Sequence, residues 1–188
     1  MSIRLTLCLA LFCAVINGCD IQPAAYTKND IVKITDFELS PDEEKIAFSA
    51  ITPIGNLDIW VVNIDGKNLK KLTFQDRSPT NHIARFFKKR RWRNYFEIDM
   101  CYPKWIDSGH IAFCQSLTKY EMWGTRLISK RFWVISPDGT GKTSTEPFNT
   151  EGIKKPSILS EKLRRTFFIK HNTLWYFDNK DLIPKKLI

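Results

Sequence analysis

The sequence predicts an all-β protein that repeats a four-stranded antiparallel unit about three times. Short runs rich in β-branched and aromatic residues alternate with Asp, Gly, Pro and Ser turn residues. A tryptophan holds the same place in the third predicted strand of each repeat, as Trp60, Trp133 and Trp175. An ordinary antiparallel sandwich is the alternative, because it also consists of short strands joined by turns.

The first repeat, at about residues 34–75, has the clearest pattern. Ser40-Pro41-Asp42 is typical of a turn, and Asp65-Gly66 is typical of a hairpin because glycine accepts a positive φ. Ile46 and Phe48 alternate with other residues, as in a half-buried strand. The first predicted strand ends at Leu39, and the next three cover residues 45–48, 58–63 and 70–73.

The second and third repeats follow at about residues 100–148 and 153–188. In the second repeat, hairpin turns are expected at residues 106–109 and at Asp138-Gly139. The third repeat has lost its glycine turns but keeps a basic tail that ends in Leu187. Its predicted middle strands cover residues 165–168 and 174–177.

The turns and strands of the first repeat resemble a blade of the TolB-type β-propellers. The matching features are the Ser-Pro-Asp turn, the Ile46-x-Phe48 strand, the strand around Trp60, the Asp-Gly turn and the final Leu72-Thr73. The resemblance implies a β-propeller-like fold over residues 34–188, with about three blades. Propellers need roughly four blades or more. We therefore expect a half propeller that a homodimer or a partner completes, or else a truncated remnant.

The N-terminus has the pattern of an export signal over residues 1–18. Arg4 precedes an apolar run of about a dozen residues, which is too short to span a bilayer as a helix. Ile16-Asn17-Gly18-Cys19 then resembles the lipobox of bacterial lipoproteins. This resemblance implies that cleavage makes Cys19 the new N-terminus and that lipid anchors it, with residues 19–33 as a tether. The alternative is an ordinary secretory signal that leaves Cys19 unmodified.

The resemblance to lipoproteins also predicts a location. It places the mature chain in the cell envelope, facing the periplasm, and Asp20 after the lipidated cysteine favours the inner membrane. The chain has 29 Lys and Arg against 20 Asp and Glu. A basic domain at a membrane attracts anionic headgroups or acidic partners. We expect no nucleic-acid partner, because the protein is predicted to be exported.

A basic insert at residues 77–99 separates the first two repeats. Within it, residues 85–96 combine six cations with five aromatic side chains, and a long inter-blade loop is expected there. Such a loop suits anionic lipid at a membrane interface, acidic glycans, or bases stacked on aromatic rings. The alternative is a solvated loop whose aromatic side chains pack on a blade. The predicted contact residues are Arg85, Lys88, Lys89, Arg90, Arg91, Trp92 and Arg93.

Two cysteines of the mature chain flank the hairpin predicted in the second repeat. Cys101 and Cys114 share the same sum of positions as Trp105 and His110, so they face each other across the strand pair. In an oxidising compartment the sequence therefore predicts either a cross-strand disulfide or two buried thiols.

The sequence predicts neither a catalytic centre, nor a metal site, nor a cofactor. The string from Ser136 to Thr143 is similar to a nucleotide-binding loop but lacks its first glycine, so a hairpin is expected. The three histidines, including His110, are isolated. The expected function is a non-enzymatic, membrane-anchored adaptor that docks envelope proteins. The alternatives are an anionic lipid- or glycan-binding protein and an inactive remnant.

Overall fold

A computed structural model describes residues 27–150, 157–180 and 183–188. It consists mostly of β-strands in three four-stranded antiparallel sheets, so the predicted all-β class is confirmed. The signal segment, Cys19, Asp20 and the start of the third repeat lie outside the described residues. Within the described ranges, no helix is both long and apolar enough to cross a membrane.

Each sheet keeps its strands in chain order. The first sheet contains β1 (Lys33–Leu39), β2 (Lys45–Ile51), β3 (Leu57–Asn63) and β4 (Lys70–Lys71). A helix, α1 (Pro79–Lys89), precedes the second sheet. The second sheet contains β5 (Tyr95–Asp107), β6 (His110–Glu121), β7 (Gly124–Ile135) and β8 (Thr143–Ser144). The third sheet contains β9 (Ser157–Ser160), β10 (Arg165–Lys170), β11 (Thr173–Asp178) and β12 (Lys185–Lys186).

The third strand of every sheet carries a tryptophan opposite a phenylalanine of the second strand. The pairs are Trp60 with Phe48, Trp133 with Phe113 and Trp175 with Phe168. The predicted position of the tryptophans in third strands is therefore confirmed. The glycine turns are also present where the sequence predicts them, since Gly66 and Gly139 have φ values of 78° and 84°.

The first sheet lies in the middle of the molecule, with an apolar core on each face. One core joins its Trp60 face to Phe167 and Leu174 of the third sheet. The other joins Ile59 and Val61 to Phe113 of the second sheet. The interior positions of β2 and β3 are all buried, so both faces of this sheet need a cover. The third sheet covers one face of the first sheet and the second sheet covers the other. The spatial order of the three sheets therefore differs from their order along the chain.

The basic insert does not form the loop that the sequence predicts. Residues 79–89 form α1, and the strand of the second repeat begins at Tyr95 rather than near residue 100. Ser78 and Pro79 start the helix, because proline at the first turn has the helical φ and needs no hydrogen-bond acceptor. Asn81 fixes the helix to β5. Its Nδ2 donates to the Ile98 carbonyl at 2.9 Å, and its Oδ1 accepts from the Ile98 amide at 2.8 Å.

Candidate functional site

The end of α1 fixes the position of Trp92. The Trp92 amide donates to the Phe87 carbonyl at 3.0 Å, and the Arg91 amide donates to the Lys88 carbonyl at 3.0 Å. Arg91 has a φ of 59°, so the helix ends in a Schellman motif with arginine at the position that usually holds glycine. The apolar contact that accompanies this motif joins the Phe87 and Trp92 rings, whose centroids are 5.7 Å apart.

One cation lies close to two exposed aromatic rings at this helix end. The Arg90 guanidinium is 4.3 Å from the ring centroid of Phe86 and 5.9 Å from that of Trp92. Phe86 is 49% exposed and Trp92 is 55% exposed. The rings thus combine a large accessible apolar area with positive charge held within cation–π distance.

The tip of the β6–β7 hairpin extends this surface. Tyr95 at the start of β5 lies opposite Tyr120 near the end of β6, and their rings stack with centroids 4.9 Å apart. Glu121 follows Tyr120 and forms an ion pair with Lys119 at 2.7 Å. The hairpin tip beyond it consists of Met122 and Trp123, and Trp123 is 93% exposed. A groove of about 550 Å³ joins the two parts, since Phe87, Arg91, Trp92, Arg93, Asn94 and Met122 line it. We call Phe86, Arg90, Arg91, Trp92, Arg93, Met122 and Trp123 the basic aromatic surface.

The structure divides the predicted contact residues into two groups. Two of them interact with the protein: Lys88, which is itself exposed, forms an ion pair with the buried Glu97, and Arg85 is half-buried. The other side chains are exposed to solvent: Lys89, Arg90, Arg91, Trp92 and Arg93. Neither Asp nor Glu occurs between Arg77 and Phe96, so the exposed part of this segment is uniformly positive.

A polar cluster under the surface supports it. The Lys88 ammonium lies 5.9 Å from the ring centroids of Tyr95 and Tyr120. Burial and the Glu97 carboxylate raise the pKa of both tyrosines, so both phenols are neutral at physiological pH. This cluster holds α1 against the hairpin and leaves the arginines beyond it free to face outward.

The sequence pattern did not predict that Met122 and Trp123 belong to this surface. The available signal was Gly124 directly after them, between two stretches with strand composition, which is typical of a hairpin. The length of that hairpin was not evident from the repeat pattern, because the first and third sheets have much shorter second and third strands.

Cys101 lies directly opposite Cys114 across β5 and β6, the register that the sequence predicts. Both are buried free thiols, and the Cys101 thiol donates to the Cys114 carbonyl at 3.6 Å. The hydrogen bond with the Cys114 side chain and burial raise the pKa of Cys101. The cross-strand disulfide stays a prediction.

The nucleotide-like string forms the predicted hairpin turn. The Gly139 amide donates to the Ser136 carbonyl at 2.8 Å, and the Ser136 amide donates to the Thr140 carbonyl at 3.0 Å. His110 is exposed and pairs with Asp107 at 3.0 Å. Within the part of the chain that the structure describes, no three His, Cys, Asp or Glu side chains are grouped so that they could hold a metal ion.

The chain matches no family model, and no curated protein matches its sequence.

Proposed function

We propose that this protein binds anionic membrane surfaces through the basic aromatic surface, as the attachment face of a lipid-anchored binding module. The observation that supports this best is the groove that Arg91, Trp92 and Arg93 share with Met122, the neighbour of the exposed Trp123 at the hairpin tip. Two segments that are distant in sequence, one with arginines and aromatic rings and the other with apolar side chains, thus line one groove.

Each component of the surface matches a layer of the membrane interface. Trp rings are most stable at the depth of the headgroups, where the ring is in apolar surroundings and the N–H is hydrated. Arginines next to an anionic leaflet contribute about 1 kcal/mol each. An almost fully exposed Trp123 next to Met122 is unfavourable in water, and such apolar patches usually mark contact sites.

The predicted lipid at Cys19 keeps the basic aromatic surface close to the membrane. The tether from Cys19 to Thr27 spans at most about 27 Å when fully extended. A lipid anchor alone leaves the domain free to rotate, whereas a second contact with the headgroups fixes its orientation. We therefore assign the surface an orienting role, with the rest of the domain facing the periplasm.

Vesicle sedimentation tests this function. The chain from Asp20 onward is mixed with vesicles of phosphatidylcholine, with or without about 30% phosphatidylglycerol. We expect binding only to the anionic vesicles. Replacement of Arg90, Arg91 and Arg93 by glutamine should lower the partition coefficient about 100-fold, since three contacts of about 1 kcal/mol are lost. Trp123→Ala should lower it about tenfold.

A matched charge change gives the control. Arg164, Lys180 and Lys186 are exposed residues of the third repeat, and their replacement by glutamine removes the same net charge. This variant should bind within about threefold of the original chain at about 0.15 M salt, where distant charges are screened. An equal loss in both triple variants would mean that only net charge matters. Binding to heparin or single-stranded DNA, but not to vesicles, would also contradict the proposal.

A second function, docking of envelope proteins by a propeller-like stack, has its own structural support. Trp60 faces the third sheet, Trp133 packs at the interface with the first sheet, and Trp175 belongs to neither core. At both interfaces, the face that carries the tryptophan of one sheet packs against the face without the tryptophan of the neighbouring sheet. Successive propeller blades pack in the same way. The aromatic face with Phe168, Trp175 and Phe177 is the one on which a further blade would pack.

Light scattering on the chain from Asp20 onward tests the docking function. A dimer that Trp175→Glu converts to monomers supports a propeller completed by two chains. A folded monomer that captures no envelope protein after crosslinking in native membranes contradicts the docking function. A poorly folded monomer favours the truncated remnant.

A further inference from the structure

The outer edge of β7 is unpaired over most of its length. β6 pairs with β7 from Gly124 to Ile135, but β8 pairs only with Trp133 and Val134 on the other side. Among the described residues, no strand lies beside the outer edge of residues 124–131. All eight of these residues are exposed.

In the first sheet, the equivalent edge belongs to β3, and its amides have hydrogen-bond partners. The Leu57 amide of β3 donates to Asp99 Oδ1 at 2.8 Å, and the Ile59 amide donates to Thr73 Oγ1 at 2.9 Å. Side chains thus satisfy the edge amides that β4 does not reach. Exposed, unpaired edges are templates for another strand. At about 3.3 Å per residue, the free edge of β7 offers roughly 26 Å of template.

The side chains of this edge define the strand that fits it. Arg126 and Arg131 share one face with Lys119, whereas Leu127 and Lys130 lie on the other face. Neither Asp nor Glu occurs between Met122 and Pro137. Opposite charges stabilise cross-strand pairs, so an incoming strand is most stable with acidic side chains.

A second copy of this chain does not meet that requirement. Pairing of two β7 edges would bring together two sets of Arg126, Lys130 and Arg131 with no acidic residue between them. Like charges across a strand pair are destabilising. The charge of the edge therefore favours a different chain.

We propose that the free edge of β7, residues 124–131, binds an extended acidic segment of a partner protein by strand addition. Backbone hydrogen bonds supply affinity in this mode, and the flanking side chains supply specificity. The site begins directly after Trp123 of the basic aromatic surface but shares no residue with that surface. For the docking function, it specifies the chemistry of the partner.

A model peptide tests the site without knowledge of the partner. The probe is a fluorescein-labelled octapeptide of alternating Glu and Val, titrated by anisotropy with the full chain in neutral detergent micelles. We expect saturable binding, and none of a Lys–Val peptide of the same length. Two further probes carry N-methyl groups on either the Glu or the Val amides. One of them should lose at least tenfold in affinity, because a docked strand uses only one of its edges.

Variants of the chain locate the contact. Arg126→Glu with Lys130→Glu should weaken binding of the Glu–Val peptide at least tenfold, whereas Arg164→Glu with Lys180→Glu should change it less than threefold. The Arg126 and Lys130 variant should still bind anionic vesicles, and the variant with glutamine at Arg90, Arg91 and Arg93 should still bind the peptide. The vesicle assay and the peptide assay therefore show separately whether the lipid-binding proposal or the strand-addition proposal fails.

Three results would overturn the proposal. The first is no saturable binding of the Glu–Val peptide up to about 1 mM. The second is equal affinity of both methylated probes and the parent, since the contact would then use side chains alone. The third is a solution mass that corresponds to a dimer of the chain but to a monomer of the Ser129→Pro variant, because the edge would then pair with a second copy.

Discussion

The first sheet and the outer half of the β6–β7 hairpin are both antiparallel β-structure, yet their surroundings are opposite. The interior positions of β2 and β3 are all buried, whereas residues 124–131 of β7 are all exposed. The first sheet contributes to both apolar cores. Stability is therefore concentrated in the first sheet, whereas the outer half of the hairpin is available for contacts with other molecules.

Charged residues follow the same division. In the first sheet, Asp58 and Lys71 form an ion pair at 2.9 Å, and both side chains are fully buried. Asp58 also accepts from the Thr73 hydroxyl at 2.8 Å. At the end of α1, in contrast, Arg91 and Arg93 face solvent. Buried charges of this kind affect folding, whereas exposed ones have little effect on it and are free to bind.

The largest predicted difference between the two environments concerns tryptophans at equivalent positions. Trp60→Ala should lower the free energy of unfolding by about 3–5 kcal/mol, because Trp60 is completely buried and stacks on Phe48 at 6.3 Å. Trp175→Ala should lower it by about 1 kcal/mol, since Trp175 is only partly buried and contributes to neither core. Urea unfolding followed by circular dichroism measures both values. Equal losses would contradict a central role for the first sheet.

The next effect is a pH dependence from Asp58. Burial raises its pKa from 3.8 to about 6, although the Lys71 ammonium opposes this. The folded state therefore binds this proton more tightly than the unfolded state, and stability falls as pH rises from about 4 to about 6. The unfolding free energy of the original chain minus that of Asp58→Asn should fall by roughly 3 kcal/mol over this range.

An exposed carboxylate serves as the control for that measurement. The Lys67 backbone amide lowers the pKa of Asp65, so its contribution to stability is lost as pH falls below about 4. Comparison of the original chain with Asp65→Asn should therefore give a slope of the opposite sign. If the difference in unfolding free energy between the original chain and Asp58→Asn stays constant from pH 4 to 7, burial does not raise the pKa of Asp58.

The smallest effect concerns the end of α1. Arg91 has a left-handed backbone, which costs a residue with a Cβ about 1 kcal/mol relative to glycine. Arg91→Gly should raise the free energy of unfolding by about that amount while lowering the partition onto anionic vesicles about fivefold. Arg91→Lys keeps the charge and should change neither quantity appreciably. A loss of stability in Arg91→Gly would contradict the Schellman geometry.

Local patterns in the sequence predict the strands and turns of this fold well. Asp65-Gly66 and Asp138-Gly139 form their turns because the requirement for a positive φ acts within a few residues. The helix was missed because cations and aromatic side chains mask the apolar spacing of residues 79–89, and because its anchor, Asn81, acts through β5.

The arrangement of the sheets and of the site depends on contacts between distant segments. Nothing near Phe167 or Leu174 in the sequence indicates that they pack against Trp60 rather than against the second sheet. The cationic half of the basic aromatic surface was evident from residues 85–96. Its other half, around Trp123, joins it only through the register of Tyr95 with Tyr120.

The position of the first sheet between the other two also has a consequence for biosynthesis. Its Trp60 face is covered by Phe167, Leu174, Leu187 and Ile188. During synthesis, this face therefore stays uncovered until more than a hundred further residues have been made. A nascent chain in that condition cannot complete its core early. The same delay exposes an apolar sheet for a long time, so we expect the emerging chain to depend on holding chaperones.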